Sequence, residues 1–399
     1  MNSQVMHRCQ TAKVKVVDKT GKALANTAVS FNLTNHEFLF GCGGFDALPL
    51  TSNQSVDKLP KFDNEELKKA FFKDRMDKWL GLFNYATIPF YWGGYEPTEG
   101  EPLFESRYNA AKFFIDHNVS VKGHPLCWHT VCADWLLKYD DKTIMDKQLE
   151  RINRDVTAFK GIVDKWDVIN ETVIMPSFDR YDNAVTRICK RYGRIPLIKE
   201  VFEAAHSANP SALLLINDFN LSDEYKKVIS DALDAGAKIG AIGLQSHQHQ
   251  GYKGLPWFEA AINRFKEFGL PIHFTENTLI SGDIMPSDIV DLNDYVVDEW
   301  PSTPEGEERQ AKEWEEIYVR LFNEPSVEAI TGWDFADGAW LNAPSGIVRA
   351  DNTLKPVYHV LKDYIHKTWS TNETLVTDEN GFVTLTGYRG FYEVSSPSL

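Results

Sequence analysis

Eight short apolar segments recur along the 399-residue chain, each followed or preceded by a helical stretch. In order they are Phe38–Cys42, Leu82–Thr87, Val119–His124, Lys165–Glu171, Leu213–Asn217, Ile239–Gln245, Ile272–Glu276 and Val327–Trp333. They are rich in Val, Ile, Leu and Phe and too short for buried helices, so each reads as a strand. The intervening stretches, such as Asn109–His117, Tyr225–Ala235 and Glu307–Phe322, carry helical spacing. One helix should follow the polar stretch over about 51–66. Strand and helix alternating eight times over about 330 residues predict a parallel α/β architecture, a (β/α)8 TIM barrel. The competing doubly wound sheet usually announces itself by GxGxxG after the first strand, and none stands there.

The ends of these segments share a second property. Lys165–Ile169 is strand-like, then turns polar at Asn170 and Glu171. Taken alone, that stretch also fits a strand leading into a helix, with Asn170 as cap and Glu171 in the first turn. The other ends decide for a site. They finish in His124, Asn217–Asp218, Gln245 with His247, Glu276 and Trp333. A barrel gathers such C-terminal tips into one ring, where its chemistry sits. Glu171 and Glu276, on the fourth and seventh strands, would then face each other across the mouth. Two carboxyls flanking a cleft suit glycosidic bond cleavage: one donates a proton to the leaving oxygen, the other attacks the sugar or activates water. Coupling between them would hold one proton on the pair at neutral pH. Asp218 stays open between a structural and a functional role.

Composition narrows the partners. A net charge of −15 argues against nucleic acid and anionic membrane, which need basic patches. It suits a neutral polysaccharide or oligosaccharide substrate, for which aromatic residues (13% of the chain) offer stacking faces. Large proteins also bury aromatics for packing. Cys9, Cys42, Cys127, Cys132 and Cys189 form no CxxC pair, so buried free thiols are expected. His247 and His249 could chelate as a pair, but a metal site needs three or four converging ligands, so no metal and no cofactor are expected.

Six segments, in register, resemble glycoside hydrolase family 10, the endo-1,4-β-xylanases. Gly123-His124-Pro125-Leu126-Cys127-Trp128-His129 is similar to that family's third-strand motif, and Trp166-Asp167-Val168-Ile169-Asn170-Glu171 to its acid/base motif. Ile216–Asn220, Ile242–His247 and Phe274–Glu276 resemble the fifth, sixth and nucleophile strands, and Trp333 with Trp340 the aromatic pair after the eighth. The resemblance implies a retaining hydrolase of β-1,4-xylan or xylo-oligosaccharides, with Glu171 as acid/base and Glu276 as nucleophile, their carboxyls ~5–5.5 Å apart. It implies that Asn170 holds the sugar 2-hydroxyl and His247 orients Glu276. His124, Trp128 and Gln245 would line the subsite, and Trp333 and Trp340 would wall it.

The departures bear on substrate. The family's second strand runs into an Asn- and Lys-bearing segment that grips the sugar. Here Pro89-Phe90-Tyr91-Trp92-Gly93-Gly94-Tyr95 intervenes before Glu96-Pro97, so aromatics replace the Lys. Tyr91 and Trp92 are either core residues or a stacking platform, and Trp92 is taken as substrate-binding. Thr278 stands where an Asp usually orients the histidine, Val131 where a Gln follows the third-strand motif, and the Trp333–Trp340 loop is about one residue short. Two alternatives follow: the same chemistry on another β-glycan or modified oligosaccharide, or a carbohydrate-binding barrel with impaired catalysis.

Residues 38–369 are expected to form the barrel. The flanking segments 1–37 and 370–399 are β-type, and the expectation is one accessory β-domain built from both. Within the first, Val14 and Val16 lead through Asp18–Lys22 to Ala28–Phe31 as a hairpin. Met1–Gln10 lacks an apolar signal core, so the protein is expected to be intracellular or to have lost a leader, while the resemblance implies secretion.

Overall fold

The computed structural model describes residues 3–52 and 61–396; half of the polar stretch expected over 51–66 lies outside them. Among the described residues thirteen strands occur in chain order: β1 (Cys9–Lys15), β2 (Ala28–His36), β3 (Leu39–Gly43), β4 (Tyr85–Pro89), β5 (Ser120–His124), β6 (Lys165–Asn170), β7 (Leu213–Asp218), β8 (Ala241–Gln248), β9 (Ile272–Leu279), β10 (Val327–Gly332), β11 (Asn372–Val376), β12 (Phe382–Tyr388) and β13 (Gly390–Ser395). Strands β3 to β10 are parallel neighbours in sequence order, and β10 pairs back onto β3. The barrel is therefore closed, with no exposed edge. Helices stand between its strands, among them Glu65–Leu80, Asp141–Ala158 and Pro304–Phe322. This is the (β/α)8 TIM barrel expected from the strand–helix alternation. Two strands slide along the chain from their expected limits: Leu82–Thr87 becomes Tyr85–Pro89, and Ile239–Gln245 becomes Ala241–Gln248.

Local chemistry sets the element limits. Asn64 accepts the backbone N–H of Leu67 to cap the first long helix, Asp140 does the same for Thr143, and Thr303 caps the Pro304 helix through Gly306. Strands β6, β8 and β9 are buried almost throughout, packed between the barrel interior and helices. Their registers slip at Asp167/Ile169 between β6 and β7 and at Leu244/Gln245 between β8 and β9. Such irregularities re-aim side chains near a strand end. Here the second sets Gln245 beside Glu276.

The turn expected at Asp18–Lys22 forms, with the Leu24 N–H donating to Val16 O, but the strands on either side of it do not pair with each other. Strand β1 pairs antiparallel with β12, while β2 lies between β11 and β13. Each N-terminal strand thus finds its partner at the far end of the chain. Val16, Val29, Phe31, Val383 and Leu385 fill the space between the two small sheets. A two-strand hairpin alone is marginal in water, and cross-pairing gives each strand a buried face. Arg8 anchors the N-terminal segment beneath the barrel, donating to the carbonyls of Phe322, Glu324 and Val327 ahead of and at the start of β10. All five cysteines are free. Among the described residues no helix is long and apolar enough to cross a membrane.

Candidate active site

Strand β6 ends at Asn170, and the next residue, Glu171, has φ +57°. A non-glycine residue in the left-handed region is uncommon and marks a turn held by its surroundings. The Glu171 N–H donates to Asn217 O (2.8 Å), and the turn lifts its side chain into the mouth. There Trp128 Nε1 donates to Glu171 Oε2 (2.9 Å), and His129 Nε2 lies 3.8 Å from the same oxygen. Burial, joined by the charges of Asp218 and Glu276, pushes the Glu171 carboxyl up to about 8. Asp218 is itself buried. It accepts Thr172 Oγ1 and the Val173 and Asn220 N–H groups, which pins the loop carrying Glu171.

Glu276 has the opposite setting. His247 Nε2 contacts its Oε2 at 3.0 Å and Asn217 Nδ2 its Oε1 at 2.7 Å, with His124 Nδ1 3.9 Å from Oε1. Burial alone would raise this carboxyl. The neighbouring His124 and His247, with Lys122 beneath, outweigh burial and hold it below its ordinary value. Thr278 Oγ1 meets the other nitrogen of His247 at 2.8 Å, so a hydroxyl does the orienting that an Asp does in the family pattern. The amides form a connected set: Asn170 Oδ1 accepts from Asn217 (2.9 Å) and Gln245 (3.0 Å), and Thr275 Oγ1 donates to Asn217 Oδ1 (2.7 Å).

The walls are aromatic. Trp333 sits 5.2 Å from the His124 ring and 5.9 Å from His247, and Trp340 lies 4.7 Å from His247, all between ring centroids. Trp92 departs from expectation. It is 4% exposed, its indole N–H donates to Glu96 (3.1 Å), and the Arg151 guanidinium lies over its ring. It packs beneath the second-strand loop and cannot stack on a sugar. Its neighbour Tyr91 takes the place by the site, 5.7 Å from His124 and 5.6 Å from Trp128. The strand ends at Pro89 and a helical turn opens at Trp92, with Tyr91 just before it, so the chain's change of direction decides which ring meets the cleft.

Two contributors escaped sequence reasoning. Lys122 and Asp167 are fully buried and paired at 2.6 Å, and Asp167 Oδ2 also holds His124 Nδ1 at 2.7 Å. A lysine and an aspartate inside two apolar strands were the available signal. Among the described residues, His124, Asp167 and Glu276 form one group with the spacing of metal ligands. The Lys122 ammonium already stands against Asp167, where a cation would bind. The His247–His249 pair does not converge on a third ligand: both His247 nitrogens are engaged by Glu276 and Thr278, and the two rings lie 6.0 Å apart.

A barrel mouth that sets one carboxyl with raised and one with lowered proton affinity between amide groups and aromatic walls has the makings of a glycoside hydrolase. The family profile described as Glycosyl hydrolase family 10 matches residues 89–364, and the chain belongs to that family. It is 27% identical over 310 residues to an endo-1,4-beta-xylanase/feruloyl esterase of Xylanibacter ruminicola, covering 68% of this chain and 40% of that one. It is 28% identical to endo-1,4-beta-xylanase B of Paenibacillus barcinonensis, covering 62% of this chain and 75% of that protein. The chain thus spans less than half of the first relative and three quarters of the second. Native xylanase 10B from Thermotoga maritima shares the fold at a TM-score of 0.64 and 20% identity, over 83% of this chain and 96% of that one.

Proposed function

We propose that this protein hydrolyses β-1,4-linked xylan or xylo-oligosaccharides with retention, Glu171 acting as acid/base and Glu276 as nucleophile. The observation that carries the reading is the divergence of the two carboxyls, one raised to about 8 and the other lowered. Near neutral pH, Glu171 holds the proton that the leaving oxygen needs. Glu276 is ionised for attack on the anomeric carbon, forming a covalent glycosyl-enzyme. Departure of the leaving group leaves Glu171 as a carboxylate, which then takes a proton from the incoming water. His247 and Asn217 fix the two oxygens of Glu276, so little reorganisation is needed at attack. The Asn170 amide nitrogen is the donor for the sugar 2-hydroxyl, its oxygen being held by Asn217 and Gln245. His124 and Gln245 border the same subsite, and Trp128, Trp333 and Trp340 supply its faces.

The names of the curated relatives support xylan as the substrate class. The test is hydrolysis of xylan, mixed-linkage glucan and unsubstituted xylo-oligosaccharides by the wild type and Glu276→Ala side by side. Xylan cleavage that disappears in the variant, with a β-configured product seen first by NMR, is expected. Cleavage of glucan alone would redirect the substrate, and an α-configured first product would overturn retention.

A further inference from the structure

Two loops rise from the strands that carry the glutamates. One, residues 171–183, follows β6; the other, residues 280–303, follows β9. The Arg180 side chain joins them. Arg180 Nη1 pairs with Asp291, and its Nη2 with Asp294 Oδ1 at 2.8 Å.

Both supports are built structures. In the β9 loop, Ile280, Met285 and Trp300 are buried with Ala343, and Trp300 Nε1 donates to Asp283 O (2.8 Å). Asp291 is braced as well: its Oδ1 accepts the Asn293 N–H at 2.9 Å while its Oδ2 faces Arg180. In the β6 loop, Phe178 packs 4.4 Å from the His129 ring.

The bridge has a definite side. Around the closed barrel, β7 and β8 separate β6 from β9 on one side, and β10, β3, β4 and β5 do so on the other. Just past β8, Gln250 donates to the carbonyls of Pro286 (3.0 Å) and Ile289 (2.7 Å), and His249 O accepts the Met285 N–H (3.0 Å). These bonds hold the β9 loop over β8. A linear glycan seated between Glu171 and Glu276 must leave the cleft past either the Tyr91–Trp333 wall or this bridge.

We propose that Arg180 is a specificity-determining residue whose bridge stops the cleft on the β7–β8 side. Only a short, fixed number of sugar units then fits there, and cleavage releases short fragments from one chain end. The inference rests on the glycosidase reading above. Exposed ion pairs contribute little to stability, so the bridge acts by occupying space. Because the guanidinium itself crosses the gap, truncating it opens a passage even if both loops stay in place.

The experiment compares wild type, Arg180→Gly and the double variant Asp291→Asn/Asp294→Asn on end-labelled xylohexaose, and on xylan by viscosity per bond cleaved. The wild type is expected to cut at one dominant position from one end and to thin xylan slowly. Both variants should spread the cleavage positions and lower viscosity several-fold more per bond. Molar salt should push the wild type the same way by screening the pair. Multiple internal cuts by the wild type, or an Arg180→Gly product pattern like that of wild type, overturns the proposal. Cleavage of no glycan by the wild type, by contrast, overturns the glycosidase reading.

Discussion

The tips of β6 and β9 carry the same side chain in opposite surroundings. Glu171 stands on a left-handed turn, met by the indole N–H of Trp128 and by buried Asp218 nearby. Glu276 stands within the strand, touched by His247 and Asn217 and underlain by His124 and Lys122. Both sites are desolvated, and desolvation favours the neutral acid at each. What separates them is the sign of the neighbouring charge. Anionic neighbours add to burial at Glu171, while the basic side chains reverse it at Glu276. Burial alone therefore does not assign roles to a carboxylate pair.

The largest expected effect comes from removing the ionised partner. Glu276→Gln should lower kcat by roughly 10⁴-fold or more on every substrate, since no covalent step remains. An equal loss for both glutamates on an activated aryl glycoside would break the comparison. Glu171→Gln should cost about 10²–10⁴-fold on xylan and far less on aryl glycosides, whose leaving groups need no proton. Its pH profile sharpens the point. In the wild type, kcat/KM should fall above pH 8 as Glu171 loses its proton, and below the lowered value of Glu276 as that group gains one. Glu171→Gln should lose the upper limb and keep the lower.

A smaller effect is expected at Thr278. Thr278→Val removes one hydrogen bond from His247 and should cost about 1 kcal/mol, or ~5-fold in kcat, with KM little changed. Full activity in that variant would show that the bond to Glu276 suffices to hold the imidazole. The smallest effect is on stability. The folded-state value of Glu171 lies above its ordinary 4.5, so the folded protein keeps a proton that the unfolded chain has released. That contribution is full below pH 4.5 and is lost as pH rises through 8. Glu171→Gln should then unfold at a higher temperature than wild type at pH 8 and show no such gain at pH 4. Equal melting shifts at both pH values would refute the raised proton affinity.

Much of this molecule is legible in one dimension. The eight strands follow from runs of Val, Ile, Leu and Phe between helical stretches, because period and length are local properties of a chain. The ring of polar tips follows from the same runs, since a buried strand admits Asn170, Glu171 or Gln245 only where it reaches the barrel mouth. Tertiary structure decided the rest. Tyr91 and Trp92 are adjacent and equally aromatic, and the direction of one turn chose between them. Each N-terminal strand took a partner more than 300 residues away, which no local pattern encodes. The proton affinities of the two glutamates depend on water excluded by distant residues and on charges from β5, β7, β8 and β9. These act through space, over separations that sequence order does not record.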